Sequence, residues 1–197
     1  MNTSNIKISG SIDRFSKSLE FLYTQGFRGR DFMSASEPGL RRLLMEKDFL
    51  PDYAFKTDDS NYARHLIFRH PDDYFTIAAM VWKPEQDTPI HDHDGQWGIV
   101  GMVKGELVVK NFLNKEENLE KDFVYLTGQE THNPQADTPN NVCGCADIHM
   151  VANRSADISV SIHIYPKEIE ECHVFEPINS QDSTYKVQKV NLSFSNS

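Results

Sequence analysis

The chain has 197 residues and carries 29 acidic against 20 basic side chains, a formal net charge of -9 at pH 7. This length predicts one domain with a substantial core. The acidic balance argues against a general nucleic-acid binder, whose affinity would come from Lys and Arg that neutralise phosphates. The sequence has no apolar run long enough to span a bilayer, and its first ten residues lack the pattern of a signal peptide.

The three cysteines are an odd number and have no CxxC spacing. This usage favours a reducing compartment, so we expect a cytoplasmic protein without nucleic-acid or membrane partners. Cys143 and Cys145 could bind a soft metal in principle, but two thiols without a second pair are more often ordinary loop or strand residues. We interpret all three, including Cys172, as structural.

Two helices are predicted in the first quarter of the chain. Apolar residues recur at helical spacing from residue 11, and Gly26 provides a stop. A second helix is predicted to begin at Ser36, with Pro38 in its first turn, and to end at Pro51.

From about residue 62 the pattern changes to short segments of period two, separated by turn clusters, which predicts strands. Many short strands without helices between them imply a sandwich or a small barrel. The tail after Lys189 is predicted to be frayed. The predicted strands are 66–68, 74–82, 98–103, 106–112, 123–126, 146–151, 158–165, 174–175 and 185–190.

Two histidines, His91 and His93, stand two residues apart shortly after Pro89. On a strand, a period of two places both side chains on one face and turns Asp92 to the other. Imidazole is the commonest protein ligand for metals, and a rigid strand fixes the distance between two rings. Because a lone His-x-His also occurs at solvated strand ends, the rest of the chain must decide.

The predicted strand 158–165 alternates between an apolar face and a polar face. Ser161, His163 and Tyr165 follow one another on the polar face, with neighbours about 7 Å apart along the strand. In a half-exposed strand such a face meets water. In a barrel it would point into the lumen, where the column would hold a tyrosine hydroxyl beside a metal.

A third histidine, His149, lies in a strand-like and otherwise apolar context. By itself it fits a hydrogen-bonded core histidine better than a metal ligand. Its significance lies in the His-x-x-x-Asn spacing to Asn153, which follows a His-x-His on an earlier strand.

With these motifs the chain resembles the cupin superfamily. His91, His93 and the closing Gly105 match the first cupin motif, and His149 and Asn153 match the end of the second. A glycine stands where the first motif usually has an acidic ligand. A cupin without that acid is similar to the thiol dioxygenases of the cysteine dioxygenase family. Those enzymes bind ferrous iron with three histidines and oxidise a thiol to a sulfinic acid with O2.

Further motifs are similar to the same family, and the resemblance covers roughly residues 55–176. The family's Ser-x-His-x-Tyr motif matches the polar column that ends at Tyr165. Its Tyr-x-Arg motif is present as Tyr62 and Arg64. Each motif alone is weak, but their combination is specific.

The resemblance implies a mainly β fold, a cupin double-stranded β-helix or jelly-roll barrel with an N-terminal helical segment. Residues 1–197 are expected to form a single cupin domain, in which the helical segment 1–52 packs on a barrel formed by residues 53–190. It also implies a small-molecule thiol and O2 as partners, in a monomer or a small homo-oligomer.

The resemblance implies Fe(2+) as the cofactor, with His91, His93 and His149 as its ligands. Three neutral imidazoles leave the charge of the ion uncompensated, unlike the usual site of two histidines and one carboxylate. Such a dication favours the thiolate form of the substrate and leaves open positions for sulfur, amine and O2.

The resemblance places Arg64 and Tyr62 in substrate binding, and a planar guanidinium suits a carboxylate held by two hydrogen bonds. Tyr165 is expected to contribute both to substrate binding and to catalysis, oriented by His163 and then Ser161. Without the resemblance, a surface ion pair would be the preferred interpretation of Arg64.

Two substrates are considered within the family. The preferred one is L-cysteine, oxidised to cysteine sulfinic acid. The stretch 97–101 is closer to bacterial 3-mercaptopropionate dioxygenases, which typically carry Gln in place of Arg64 and a binding Arg where this chain has residues 170–172. Gly98 replaces the cysteine that animal members cross-link to the tyrosine, so Tyr165 is expected to be an unmodified phenol.

Two other functions are kept as alternatives. One is a non-catalytic cupin that binds a metal or a small molecule as a sensor or store. The other is a zinc or nickel cupin of isomerase type.

Overall fold

The structure, a computed structural model, describes residues 8–114, 122–138, 141–144, 147–179 and 183–196. Within these residues it contains two α-helices, one short 3-10 helix and eleven strands. The predicted mainly β fold with an N-terminal helical segment is therefore confirmed. None of the helices in this described part of the chain is long and apolar enough to cross a membrane.

All helices precede the strands in the chain. Strand β7, which is only three residues long, was not predicted. Strand β3, two residues long, covers only the first part of the strand expected to carry His91 and His93. The elements are α1 Gly10–Thr24, α2 Gly29–Leu44, the 3-10 helix Asp52–Phe55, β1 Ala63–Arg69, β2 Thr76–Trp82, β3 Ile90–His91, β4 Ile99–Lys104, β5 Val108–Asn114, β6 Phe123–His132, β7 Val142–Gly144, β8 Ile148–Ala152, β9 Ser159–Tyr165, β10 Glu171–Asn179 and β11 Thr184–Asn191.

Helix α2 begins earlier than the sequence pattern predicted. It starts at Gly29, and Ser36 lies inside it, where its hydroxyl donates to the Phe32 carbonyl at 2.6 Å. Ser36 therefore bonds back along the helix and does not cap its start. The reason for the earlier start is the burial of Phe32 and Met33, which gives the first turns a core face.

The strands form two antiparallel sheets. One, the five-stranded sheet, has the order β1-β2-β9-β4-β7. The other closes on itself in the order β10-β11-β6-β5-β8-β3 and is called here the six-stranded ring. The short strands predicted a sandwich or a small barrel, and the barrel that the family resemblance implied is confirmed. Closure leaves the ring without free edges, which removes a common route to aggregation.

Strand β9 lies at the centre of the five-stranded sheet and is buried along its whole length. Its apolar face, which includes Val160 and Ile162, packs in the large core cluster shared with α1 and α2. Its polar face carries Ser161, His163 and Tyr165, which are also buried. Because helices cover one face and the barrel covers the other, neither face of β9 meets water.

A tight turn joins β4 to β5 at Gly105, the glycine that closes the first sequence motif. Its φ of +71° lies in the left-handed region, and a Cβ there would come within 2.7 Å of the Ser159 hydroxyl. Both conditions favour glycine, which has no Cβ and adopts positive φ readily.

The tail after Lys189 is not frayed, contrary to the prediction. Strand β11 continues beyond Lys189, and residues 192–196 then lie along the outer edge of β1. The Ser195 amide donates to the Arg64 carbonyl at 2.7 Å, and Phe194 is only 7% exposed. Backbone pairing and apolar burial therefore order a segment whose polar composition predicted disorder.

Candidate metal centre and active-site cavity

The pairing of β3 with β8 brings two of the three candidate metal ligands together. His91 is the direct cross-strand partner of His149. The register is fixed nearby by Thr88, whose backbone amide donates to the Val151 carbonyl at 2.8 Å and whose hydroxyl accepts from the Val151 amide at 2.9 Å.

The third candidate ligand, His93, lies beyond the end of β3. The expectation that His91 and His93 share one strand is therefore wrong, because strand pairing ends at His91 and His93 begins a turn, in which the Gln96 amide donates to the His93 carbonyl at 2.9 Å and Gly95 adopts a φ of +69°. Asp92 points away from the rings as expected. Its carboxylate accepts from the backbone amide of His173 and contacts the Nδ1 atom of that ring, both at 2.8 Å. This contact fastens the turn to β10.

The three imidazole rings form one compact group. The ring centroids of His91, His93 and His149 are 4.7 to 5.2 Å apart, and one nitrogen from each lies within 4.8 Å of the others. Nδ1 of His91 contacts the Pro89 carbonyl at 3.0 Å, which leaves Nε2 for a ligand. The buried Nδ1 atoms of His93 and His149 have no partner among the described residues.

The protonation state of this group suits metal binding. Burial lowers the pKa of His91 and lowers the pKa values of His93 and His149 well below the usual range, and the proximity of the rings lowers the latter two further. All three rings are therefore neutral near pH 7, which is the form that coordinates a metal. Among the described residues no carboxylate belongs to the group, so it could bind a metal through nitrogen alone.

The polar column of β9 is a continuous chain of contacts on the face of the five-stranded sheet opposite the helices. Ser161 Oγ lies 2.7 Å from His163 Nε2, and His163 Nδ1 lies 3.1 Å from the Tyr165 hydroxyl. Burial lowers the pKa of His163 to about 3, with the positive charge of Arg64 acting in the same direction. The ring is therefore neutral, with one nitrogen as donor and the other as acceptor.

Arg64 is a buried cation without an ionised partner. It is 6% exposed, and among the described residues no carboxylate forms an ion pair with it. Its Nη2 donates to the Ile169 carbonyl at 3.1 Å, and its guanidinium carbon lies 4.3 Å from the Phe194 ring centroid. Nη1 is buried without a partner in the described part of the chain. A buried charge of this kind is costly unless a ligand neutralises it.

Tyr62 borders the same region and stacks on Trp82, with ring centroids 5.6 Å apart. Burial raises the pKa of Tyr62, while the charge of Arg64 acts in the opposite direction. The phenol is therefore protonated near pH 7 and can donate a hydrogen bond. The indole Nε1 of Trp82 is buried and has no partner among the described residues.

One cavity of about 350 Å³ brings these groups together. That volume lies at the small end of the range for small-molecule sites, about 300–1,000 Å³. Seven of the eight residues singled out from the sequence line it, and Ser161 lies behind His163. The seven are Tyr62, Arg64, His91, His93, His149, His163 and Tyr165.

Other residues of the cavity wall were missed by the sequence analysis. Trp82 and Ile169 belong to ordinary apolar patterns, and Leu192, Ser193 and Ser195 belong to the tail predicted to be frayed. Cys172 lines the wall as well, and burial raises the pKa of its thiol to about 11, so it is protonated. Cys145 lies outside the described residues. Only a three-dimensional pairing of distant segments identifies this part of the wall.

Asn153, the last residue of the second motif, anchors a loop. Its side-chain amide donates to the carbonyls of Trp82 at 3.1 Å and Asp157 at 2.8 Å. Its Oδ1 accepts from the Ser155 amide at 3.0 Å. These bonds hold the turn between β8 and β9, and Asn153 is not among the described residues that line the cavity.

Several solved structures are similar to part of this chain. A protein called TT1209 from Thermus thermophilus is 17% identical over 60% of this chain and 96% of its own, with a TM-score of 0.42. An RmlC-like cupin family protein from Methanocaldococcus jannaschii is 18% identical over 56% of this chain and 84% of its own, with a TM-score of 0.38. A protein with a double-stranded β-helix domain from Klebsiella pneumoniae is 12% identical over 63% of this chain and 88% of its own, with a TM-score of 0.43.

The family comparison is more specific. The family model described as cysteine dioxygenase type I matches residues 50–177, which is more than half of the chain. The matched range includes every residue that lines the cavity from β1 to β10, and the three-histidine group falls inside it. The chain belongs to the cysteine dioxygenase type I family.

Proposed function

We propose that the protein is an iron(II)-dependent thiol dioxygenase that oxidises L-cysteine to cysteine sulfinic acid with O2. One observation carries the proposal. A single small cavity holds three neutral imidazoles and a buried arginine without an ionised partner, so it offers a metal ligand set and an anion-binding group together.

His91, His93 and His149 are the proposed iron ligands. These three neutral nitrogens would hold a ferrous ion without compensating its charge, and the ion would supply the redox chemistry for O2 and favour the thiolate form of the substrate. The chain contributes a preorganised set of rings, because β3 and β8 fix two of them and the Asp92–His173 contact fixes the turn that carries His93.

Arg64 is the proposed carboxylate-binding residue. Its Nη2 is already fastened to Ile169, so the guanidinium is held in place before the ligand arrives. Nη1, which has no partner among the described residues, is a donor available to a carboxylate oxygen, and the low-polarity surroundings strengthen such a charge-assisted bond. The nearby Tyr62 phenol is suited to support the same carboxylate.

Tyr165, His163 and Ser161 are the proposed proton-positioning column. If Ser161 donates to His163 Nε2, the ring proton resides on Nδ1 and is donated to the Tyr165 oxygen. The Tyr165 hydroxyl can then donate its own hydrogen to a ligand in the cavity. This arrangement lets Tyr165 stabilise negative charge that develops on oxygen during the reaction.

The net reaction joins one thiol and one O2 to give one sulfinic acid, RSH + O2 → RSO2H. Both oxygen atoms enter the product, and no external reductant is required. The substrate must therefore bring only its thiol and a group that orients it, which a cavity of about 350 Å³ accommodates.

3-Mercaptopropionate is the second candidate substrate, because the stretch 97–101 resembles enzymes that use it. In the structure Trp97 packs under Arg30, whose guanidinium carbon is 4.0 Å from the indole ring, and it is not among the described residues that line the cavity. Arg64 lies in the cavity wall itself. Cysteine is therefore the preferred assignment.

The test is to load the purified protein with Fe(2+) and measure O2 uptake and sulfinate formation with cysteine, 3-mercaptopropionate and cysteamine. We expect cysteine to give the highest kcat/KM and one O2 consumed per sulfinate. A higher kcat/KM for 3-mercaptopropionate would replace the substrate. Metal binding without O2 uptake would favour a non-catalytic cupin, and zinc or nickel in protein purified without added metal would favour an isomerase-type cupin.

A further inference from the structure

Residues 192–196 form an ordered segment that covers the outer edge of β1 and is called here the C-terminal strap. β1 lies at the end of the five-stranded sheet, so its outer backbone groups have no neighbouring strand. The Arg64 amide donates to Ser195 Oγ at 3.1 Å, and the Leu66 amide donates to Asn196 Oδ1 at 2.9 Å. Asn196 Nδ2 in turn donates to the Leu66 carbonyl at 3.1 Å.

The other end of the strap is fastened to the loop that follows β9. The Leu192 amide donates to the Glu170 carbonyl at 2.7 Å. The adjacent residue in that loop, Ile169, accepts the Nη2 hydrogen bond of Arg64. The strap therefore connects the backbone of the Arg64 strand to the loop that holds the Arg64 side chain.

Phe194 is the side chain of the strap that reaches Arg64. It is 7% exposed and packs with Leu66 and Ala78 in a small buried cluster. Its ring lies under the guanidinium at 4.3 Å, a distance at which a cation is attracted to an aromatic face. Stacking occupies one face of the guanidinium and leaves its edge free of the ring, and Arg64 is one of the residues that line the cavity.

We propose that the C-terminal strap positions Arg64 for carboxylate binding, with Phe194 as the positioning residue, and thereby sets the preference for thiols that carry a carboxylate. This inference rests on the proposed function, since it assigns selectivity among thiols. Leu192, Ser193 and Ser195 also border the cavity, so the strap is part of its wall as well.

A planar guanidinium needs two constraints to present one edge reproducibly, and the strap supplies one of them. The Ile169 carbonyl restrains Nη2, but a single hydrogen bond allows the plane to rotate about it. The Phe194 ring restrains the plane. Without the ring, Arg64 keeps its charge but samples several orientations, so the carboxylate bond becomes weaker while the metal ligands are unaffected.

The first experiment needs no activity. Phenylglyoxal, which condenses with guanidinium groups, is used on the metal-free full-length protein, and modification at Arg64 is followed by mass spectrometry. Phe194→Ala should raise the modification rate at Arg64, and Asn196→Ala should raise amide exchange over residues 63–69 by removing bonds to β1. Phe123→Ala, on the exposed surface of β6, is the control and should change neither.

The second experiment uses the iron-loaded protein with cysteine and cysteamine, which lacks a carboxylate. Phe194→Ala should raise the KM for cysteine about five- to thirtyfold, the size of a partly buried cation–π contact. Its kcat for cysteine, its KM for cysteamine and its iron content should stay close to those of the wild type. Phe194→Tyr keeps the aromatic face and should restore the wild-type KM, whereas Phe194→Leu, which keeps apolar volume, should not.

Unchanged Arg64 reactivity in Phe194→Ala overturns the proposal, and so does an equal rise in KM for both thiols. The same holds if Phe194→Leu behaves like the wild type, since the ring would then act by volume alone. Failure of the proposed function looks different, because the iron-loaded wild type would oxidise none of the thiols. In that case the phenylglyoxal and exchange measurements still decide whether the strap positions Arg64.

Discussion

The six-stranded ring and the five-stranded sheet contribute different chemistry to the same cavity. The ring carries His91 on β3 and His149 on β8, with His93 just beyond β3. The sheet carries Arg64 on β1 and the polar column on β9. The ring half of the cavity therefore holds the candidate metal ligands, and the sheet half holds the candidate groups for substrate and proton.

The three-histidine group and the β9 column differ in how their buried ring nitrogens are satisfied. In the ring half, the Nδ1 atoms of His93 and His149 are buried without partners among the described residues. In the sheet half, both nitrogens of His163 have partners within the column. The three-histidine group could thus take an external ion, whereas the β9 column is organised by the protein alone. Variants in the two halves should accordingly have separable effects.

The largest effect is expected in the ring half. His149→Ala removes one of three nitrogen ligands, so both iron retention and activity should be abolished. Metal analysis after gel filtration measures iron retention, and O2 uptake with cysteine measures activity. The control is His132→Ala, which changes an exposed histidine of β6 and should leave both unchanged. Normal iron stoichiometry in His149→Ala would show that the three-histidine assignment is wrong.

The next largest effect is expected from the column of the sheet half. Tyr165→Phe removes a hydroxyl aimed at developing charge, a contribution of about 2–4 kcal/mol, so kcat should fall by about one and a half to three decades. Iron content should be unchanged. Tyr125→Phe, at a half-exposed position of β6, is the matched control. A near-native kcat in Tyr165→Phe would show that the column only lines the cavity and does not contribute to catalysis.

Intact mass spectrometry adds a check on the same residue. Because Gly98 offers no thiol, the wild-type protein should show no mass deficit from a thioether to Tyr165.

A smaller effect is expected from substrate binding in the sheet half. Arg64→Ala removes a charge-assisted hydrogen bond worth roughly 1.5–3 kcal/mol, so kcat/KM for cysteine should fall by about one to two decades. Cysteamine activity and iron content should barely change. Arg69→Ala is the control on the same strand, where the arginine pairs with Glu168 at the surface. Equal losses on cysteine and cysteamine would mean that Arg64 only supports the fold.

The smallest effect concerns the stability of the metal-free protein. The folded-state pKa of His163, about 3, is below its ordinary value of 6.5, so the unfolded chain binds more protons between these limits. Stability is therefore lost as the pH falls below 6.5, by about 1 kcal/mol for this residue between pH 7 and pH 5.5.

Denaturant unfolding of the wild type and of His163→Gln at both pH values isolates this contribution. The variant should lose less stability than the wild type on acidification. Equal losses would show that His163 is not held neutral by burial.

The sequence was sufficient for the parts of the molecule that depend on local pattern. Period-two strands predicted a sandwich or a small barrel, and the family resemblance carried by the local motifs implied the group of His91, His93 and His149 that the structure brings together. The sequence was insufficient where distant segments of the chain meet. No local signal indicates that Asp92 contacts His173, or that Phe194 lies under Arg64, since these pairings depend on the order of strands in the barrel.

Local pattern was also misleading at two places. Ser36 resembles a helix cap, yet burial of Phe32 and Met33 extends α2 toward the N-terminus. The tail has a polar composition, yet its backbone pairs with an open sheet edge. In both cases tertiary contacts outweigh a weak local preference.

The pairing of the C-terminal strap with β1 has a consequence for the order of folding. Arg64 and Ser195 are 131 positions apart, so their contact closes a loop that spans most of the chain. Loop closure of this length is entropically unfavourable, and contacts of large sequence separation slow folding. The strap follows directly on β11, which pairs with β6 and β10 in the ring. The contacts of the C-terminal strap with Arg64 are therefore expected to form after the six-stranded ring. During refolding, the far-UV circular dichroism signal should recover before Arg64 becomes protected from phenylglyoxal. A folding intermediate without the strap contacts would have the three histidines in place, but its Arg64 would not be oriented to select a substrate.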